Sequence, residues 1–166
     1  MSKNPAHGIM TLAEAITWRH ELKRTGRRLV VTNGCFDILH RGHAQYLYEA
    51  RLMGEVLLVL INSDASVRKL KGESRPIIDE YNRAYMLSSL ASVDAVVIFD
   101  RQRCDQELAA LAPDIYIKGG DYTLESLDTA ERRALESVGS QICFKPFIDG
   151  FSTSSIVEKI KNSMTN

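Results

Sequence analysis

Residues 31–43 read Val31-Thr32-Asn33-Gly34-Cys35-Phe36-Asp37-Ile38-Leu39-His40-Arg41-Gly42-His43. This stretch begins in an apolar run, turns through a glycine and leads into residues 44–52, whose apolar positions recur with helical spacing up to Gly54. The pattern predicts a strand, a turn and a helix in direct succession. A strand that feeds straight into a helix is the opening of a βαβ unit, which favours an α/β fold.

Apolar runs with strand character recur along the rest of the chain. They lie at 29–32, 56–61, 95–99, 115–117 and 142–144. Nearly every position in each run is apolar, so the strands need cover on both faces, as in a parallel sheet. The sequence therefore predicts an α/β fold: a doubly wound, mainly parallel five-stranded sheet with helices on both faces.

Helical patterns separate these runs, at 11–24, 44–52, 79–89, 104–111, 124–138 and 153–161. The chain has 166 residues, of which 45% are hydrophobic, and this size suits one domain with one buried core. We predict a single domain over 1–166, with frayed ends at 1–8 and 162–166.

Charge and cysteine content exclude several classes of protein. The 21 basic and 21 acidic residues balance, so no overall positive field favours nucleic acid or an anionic membrane. The apolar run at 56–61 is too short to cross a bilayer, and no leader pattern precedes it. The three cysteines form no C-x-x-C pair, which argues against a disulfide framework or a zinc knuckle. We expect a cytoplasmic protein without nucleic-acid or membrane partners.

Two histidines flank Gly42 where the first predicted helix begins. In an open α/β sheet, ligands bind outside the carboxyl ends of the strands, and His40 and His43 follow such an end. A helix N-terminus offers unpaired amides to a phosphate, and a glycine lets the backbone approach it. An isolated H-x-x-H is usually an ordinary surface turn, but the strand before it and the helix after it favour a phosphate site.

A cationic segment follows the second strand and reads Arg68-Lys69-Leu70-Lys71-Gly72-Glu73-Ser74-Arg75-Pro76. A charge run of this kind is usually a solvated surface. Flexible cations can also neutralise a departing pyrophosphate, and mutual repulsion would keep such a loop mobile until phosphate arrives. We expect the loop 68–76 to become ordered when a triphosphate binds.

Two further segments open at the ends of predicted strands. Lys118-Gly119-Gly120-Asp121-Tyr122 would let a ligand approach the backbone and would offer Asp121 to sugar hydroxyls, although a capping turn explains the same residues. Gly150-Phe151-Ser152-Thr153-Ser154-Ser155-Ile156 precedes the last helix, where hydroxyls and free amides suit nucleotide phosphates or a plain N-cap.

Taken together, these blocks resemble the H-x-G-H nucleotidylyltransferases, a superfamily that includes the cytidylyltransferases. Within it the likeness is to adenylyltransferases that form ADP-heptose from heptose 1-phosphate. It is carried by residues 32–40 and 118–122 and by the blocks Asn62-Ser63-Asp64-Ala65-Ser66-Val67, Leu70-Lys71-Gly72 and Arg75-Pro76-Ile77. The resemblance implies a Rossmann-like nucleotidylyltransferase fold, in an enzyme that stands alone or is fused behind a sugar kinase domain.

The resemblance also implies roles for particular residues. His40, His43 and Lys71 would be catalytic. The nucleotide-binding positions would be Thr32, Asn33, Gly34, Cys35, Phe36, Gly42, Lys69, Ser152, Thr153 and Ser154. The positions that bind the second substrate would be Asp37, Asn62, Arg75, Arg83, Lys118, Gly119, Gly120 and Asp121, with loop support as the alternative for Arg75 and an exposed helix charge as the alternative for Arg83. No side chain is expected to ligate a metal, because Mg²⁺ would arrive on the triphosphate.

The implied reaction transfers AMP from ATP to a sugar 1-phosphate, D-glycero-β-D-manno-heptose 1-phosphate, for lipopolysaccharide core synthesis. Phe147 stands where similar cytidylyltransferases have arginine, which points away from CTP. A cytidylyltransferase acting on glycerol 3-phosphate and a nucleotide-sensing module without turnover are the alternatives. The resemblance further implies a homo-oligomer, with a separate sugar kinase in the pathway.

Overall fold

A parallel sheet forms the centre of the protein in the computed structural model, which describes residues 4–146 and 152–163. Its strands are β1 (Ile9–Met10), β2 (Leu29–Gly34), β3 (Val56–Asn62), β4 (Ala95–Phe99), β5 (Ile115–Gly119) and β6 (Gln141–Lys145). The order across the sheet is β1-β4-β3-β2-β5-β6, and every neighbouring pair is parallel. The α/β prediction is confirmed, but the strand count is corrected from five to six. The extra strand, β1, has only two residues, too few to produce a recognisable apolar run.

The order of the strands places a crevice beside β2. From β2 the chain proceeds to β3 and β4 on one side, and it then crosses to β5 and β6 on the other. The connections that leave the carboxyl ends of β2 and β5 therefore diverge. Such a switch point is where open α/β sheets bind their ligands.

Helices cover the sheet between the strands. They are α1 (Leu12–Arg24), α2 (Arg41–Arg51), α3 (Asp64–Lys71), α4 (Glu80–Ser88), α5 (Asp105–Leu111), α6 (Thr129–Ser137) and α7 (Thr153–Ser163). The sequence prediction missed α3, because its cationic last turn was interpreted as loop. The prediction also began α6 too early. Asp128 starts this helix by accepting hydrogen bonds from the amides of Ala130 and Glu131.

Two apolar clusters lie on opposite faces of the sheet, as the prediction of a doubly wound fold requires. Leu29 and Val31 of β2 belong to one cluster, with residues of α1, α5 and α6. Val30 belongs to the other, with residues of α2 and α4. Since successive side chains of a strand point to opposite faces, Thr32 faces α2, whereas Asn33 faces α6.

Regular structure is described within both terminal segments of the chain. Pro5–Gly8 form a short 3-10 helix, and the Ser88 hydroxyl donates to the carbonyl of Pro5 at 2.7 Å. At the other end, α7 continues to Ser163.

Phe147, on which the preference for ATP partly depends, lies outside the described residues, as do Gly150 and Phe151. Within the described ranges, no helix has the length and apolar character needed to cross a membrane.

Candidate active site

The turn after β2 brings an aromatic ring beneath the histidines. A Cβ on Gly34 would lie 3.0 Å from the ring of Phe36, a tight contact, so a glycine lets this ring fold back without a shift. Phe36 itself adopts a positive φ of 48°, and its ring centroid lies 5.2 Å from that of His43. The turn thus places the ring of Phe36 against one side of the His43 ring, at the start of α2.

The two histidines stack at the N-terminus of α2. Their ring centroids are 3.8 Å apart with an interplanar angle of 21°. Burial, with a smaller contribution from the neighbouring His40, lowers the pKa of His43 to about 4, and burial also lowers the pKa of His40. At neutral pH the ligand-free His43 is therefore an uncharged imidazole with a single N–H to donate.

The lowered pKa of His43 predicts a pH dependence of stability. The pKa is about 4 in the folded chain against an ordinary value of 6.5, so between these values the unfolded chain binds more protons. The free energy of unfolding should fall as the pH is lowered through this window. Urea denaturation of the parent and of His43→Gln should show a steeper fall in the parent, and an equal slope would contradict the proposed burial. His20→Gln, on the exposed side of α1, is the control and should retain the slope of the parent.

A cavity of 850 Å³ opens at the carboxyl ends of the strands, in front of the histidines. It brings together most residues that the sequence analysis selected. These are Asn33, Gly34, Cys35, Phe36, Asp37, His40, Gly42, His43, Asn62, Lys71, Arg75, Lys118, Gly119, Ser152, Thr153 and Ser154. The cavity thus unites segments from β2, β3, β5, α3 and α7 at the switch point of the sheet.

The selected residues that do not line this cavity are Thr32, Lys69, Arg83, Gly120 and Asp121. Thr32 is fully buried, and its hydroxyl bonds to that of Tyr46 at 2.7 Å, behind the cavity. Lys69 and Asp121 lie on the exposed surface, whereas Gly120 is buried and donates its amide to Lys145.

Arg83 is wholly enclosed by the protein. Its side chain is 0% exposed and donates to the carbonyl of Cys35 at 2.6 Å, the carbonyl of Ile78 at 2.9 Å and the carboxylate of Asp64 at 2.7 Å. The alternative of an exposed helix charge is wrong, because in this ligand-free structure protein acceptors enclose the guanidinium. This arginine instead joins α4 to the start of α3 and to the turn after β2.

Asp37 and Arg75 bind each other. The two side chains form an ion pair at 2.6 Å, and the second carboxylate oxygen of Asp37 accepts from the amides of Ile77 and Ile78. Burial raises the pKa of Asp37, but these hydrogen bonds more than offset it, so the pKa is lowered and the group is ionised at neutral pH. The contacts favour the loop-supporting role of Arg75.

The hydrogen bonds to Asp37 also hold one end of the cationic loop 68–76. Residues 68–71 form the last turn of α3, and residues 75–78 are fixed to Asp37. Only the short connection after Gly72, whose φ is 94°, lies between these fixed parts. The ordering of the loop 68–76 by a triphosphate stays a prediction, and these contacts confine any rearrangement mainly to the connection after Gly72.

Lys118 is a second cation, held in place at the cavity floor. Its Nζ donates to Asn33 Oδ1 at 2.8 Å and lies 3.5 Å from Glu131 Oε2. The hydroxyl of Tyr116 donates to the same oxygen of Asn33 at 2.7 Å. The side chain of Lys118 is 13% exposed, so this ammonium is fixed, unlike that of Lys71 on the exposed end of α3.

Further cavity-lining residues were not selected as site residues from the sequence. These are Tyr46, Leu70, Gln102, Arg103, Tyr122, Ser126, Asp128 and Glu131. Gln102 and Arg103 follow the carboxyl end of β4, and that position could have identified them. In the sequence, Glu131 is only a carboxylate in a predicted helix, which is a weak indication of a site residue. Its burial, with 2% exposed, depends on the packing of α6.

Cys35 lines the cavity but does not have the environment of a reactive thiol. Burial raises the pKa of the Cys35 thiol, so it is not poised as a nucleophile. Among residues 4–146 and 152–163, no three or more histidine, cysteine or acidic side chains cluster closely enough to hold a metal ion.

Comparison with known proteins agrees with this architecture. Residues 31–159 match the family described as cytidylyltransferase-like. The chain is 47% identical to the bifunctional protein HldE of Citrifermentans bemidjiense over 162 residues, which are 98% of this chain and 32% of that protein. The bifunctional protein HldE of Koribacter versatilis is 45% identical over 151 residues, 91% of this chain and 31% of that protein. The chain thus spans about a third of the length of these relatives.

A solved structure shares the fold. The crystal structure of the lipopolysaccharide core biosynthesis protein from Thermoplasma volcanium aligns with a TM-score of 0.60 and 29% identity, covering 74% of this chain and 98% of that chain. The family match includes both histidines, the floor lysine and the start of α7. This chain belongs to the cytidylyltransferase-like family.

Proposed function

We propose that this chain is a nucleotidylyltransferase that transfers AMP from ATP to a sugar 1-phosphate, D-glycero-β-D-manno-heptose 1-phosphate, in the cytoplasm. The observation that carries the proposal is the stacked pair His40 and His43 at the N-terminus of α2, facing a cavity that also holds Lys71 and Lys118. Similarity to bifunctional HldE proteins and to a lipopolysaccharide core biosynthesis protein supports the choice of acceptor.

The proposed reaction is a direct displacement. A phosphate oxygen of the sugar 1-phosphate attacks the α-phosphorus of ATP, a new P–O bond forms, and the bond to the bridging oxygen of the β-phosphate breaks. ADP-heptose and pyrophosphate are the products. The nucleophile is already anionic, so no general base is needed, and catalysis depends on alignment and charge stabilisation.

The residues of the site match these two needs. His43 and the free amides at the start of α2 would donate to phosphate oxygens as negative charge moves toward the pyrophosphate. Lys71, at the exposed end of α3, would bind the negative charge that develops on the pyrophosphate. Lys118 would hold the reacting phosphate at the floor of the cavity. Mg²⁺ would enter as part of the MgATP substrate.

Nucleotide choice gives the first test of the proposal. With heptose 1-phosphate as acceptor, we expect kcat/KM for ATP to exceed that for CTP by at least about tenfold, because a mismatched base leaves buried polar groups unpaired. Pyrophosphate release should be measured with ATP, CTP, GTP and UTP against heptose 1-phosphate, hexose 1-phosphates and glycerol 3-phosphate.

Each alternative function has its own outcome in this matrix. A preference for CTP with glycerol 3-phosphate would identify a cytidylyltransferase for alcohol phosphates. Tight nucleotide binding without pyrophosphate release from any pair would indicate a nucleotide sensor. The relatives are named bifunctional and are about three times as long, which supports a second activity in the rest of those proteins, and a separate sugar kinase that makes the 1-phosphate is part of our proposal. A homo-oligomeric assembly is part of the same proposal.

A further inference from the structure

The cavity has two walls that come from opposite faces of the sheet. We call the first the histidine wall, formed by His40, Gly42, His43, Lys71, Ser152 and Thr153. We call the second the acidic wall, formed by Gln102, Arg103, Ser126, Asp128 and Glu131. We infer that the acidic wall is the subsite for the hydroxyl groups of the sugar phosphate acceptor; this inference rests on the proposed function.

The sheet itself separates the two walls. α2 packs with the apolar cluster on one face, and α5 and α6 pack with the cluster on the other. Thr153 at the start of α7 donates to the carbonyl of Ile38 just before α2, so α7 joins the histidine wall. Glu131 of α6 reaches Lys118 from the opposite side. Lys118 and Asn33 therefore stand between the walls.

Charge assigns the triphosphate to the histidine wall. That wall presents Lys71, and it carries the N-termini of two helices of 11 residues each, whose amides favour anions. The acidic wall carries two carboxylates against one guanidinium, and Arg103 is already paired with Asp128 at 2.9 Å. A polyanion would be repelled there.

The geometry of an in-line displacement then indicates where the acceptor binds. The attacking oxygen must approach the α-phosphorus from the side opposite the departing pyrophosphate. If the histidine wall holds the pyrophosphate, the attacking group enters over Lys118 from the acidic wall. Lys118 has three donor hydrogens, and Asn33 and Glu131 engage two, so a third remains for the phosphate of the acceptor.

The chemistry of the acidic wall suits a polyol. Carboxylates accept hydrogen bonds from hydroxyl groups, and an amide can accept and donate at once. Glu131 is 2% exposed and its Oε1 accepts from Cys104, which fixes the carboxylate before any ligand arrives. Gln102 is an exposed side chain at the cavity edge. Such a wall would select a sugar phosphate over a smaller alcohol phosphate that has fewer hydroxyls.

Steady-state kinetics of two variants test the inference. Gln102→Ala removes an exposed amide, and Asp128→Asn removes a charge while retaining an oxygen that caps α6. We expect each to raise the KM for heptose 1-phosphate about three- to tenfold, the effect of one lost hydrogen bond, with the KM for ATP within about twofold of the parent. Gln106→Ala, on the exposed side of α5 and outside the cavity, is the matched control and should change neither value.

A variant on the opposite wall separates the two subsites. Ser152→Ala should raise the KM for ATP and leave that for the sugar phosphate near the parent value. An unchanged acceptor KM in both acidic-wall variants, or a rise in their KM for ATP instead, would overturn the inference while leaving the proposed function intact. Absence of pyrophosphate release by the parent with every sugar phosphate would overturn the proposed function and the inference with it.

Discussion

Replacing His43 with alanine is expected to lower kcat for pyrophosphate release by about 10²–10³-fold, the usual effect of removing one preorganised donor from a developing charge. His43 lies in the first turn of α2, stacked on His40 and backed by Phe36, so its ring is positioned before ATP binds. A donor set in advance stabilises the transition state more than the ground state. The KM for ATP should therefore change far less than kcat.

Controls for this experiment come from the chain itself. His43→Asn retains a side-chain donor and should recover part of the lost rate. His20→Ala alters an exposed histidine on α1, and its kcat should match that of the parent. If His43→Ala kept kcat within about threefold of the parent, less than 1 kcal/mol of barrier, the proposed role of His43 would be wrong.

Replacing Arg83 with methionine is expected to lower the free energy of unfolding by about 3–5 kcal/mol, the range for breaking a buried charge pair. Methionine keeps much of the aliphatic bulk but provides no donor. The carbonyls of Cys35 and Ile78 and the carboxylate of Asp64 would each lose a hydrogen bond inside the protein. Urea denaturation followed by circular dichroism would measure the change.

The matched control for Arg83 is an exposed arginine on another helix. Arg133 lies on the exposed side of α6, and Arg133→Met should change the free energy of unfolding by no more than about 0.5 kcal/mol. Equal, small effects of the two substitutions would contradict the buried network. Surviving Arg83→Met protein should also lose turnover, because Arg83 holds the carbonyl of Cys35 in the turn that positions the histidines.

The sequence alone was sufficient to determine the α/β class and to place the two histidines at the carboxyl edge of the sheet. Apolar runs without alternation require cover on both faces of a sheet, which is a property of the strands themselves. Only one short turn separates the end of β2 at Gly34 from the N-cap of α2 at His40, so local order places the histidines at the carboxyl edge of that strand. No distant contact is needed for either conclusion.

Tertiary structure decided which polar groups line the cavity and which have partners within the fold. Arg83 carries a charge that resembles a phosphate ligand in the sequence, yet packing of α4 against the turn after β2 encloses it, and Asp37 lines the cavity with its carboxylate paired to Arg75. Glu131, Gln102 and Lys118 are far apart in sequence, and the strand order brings them to one cavity. The reason is physical: burial and the partners of a charge are set by chain segments that meet only after folding, whereas strand and helix periodicity is set by neighbours along the chain.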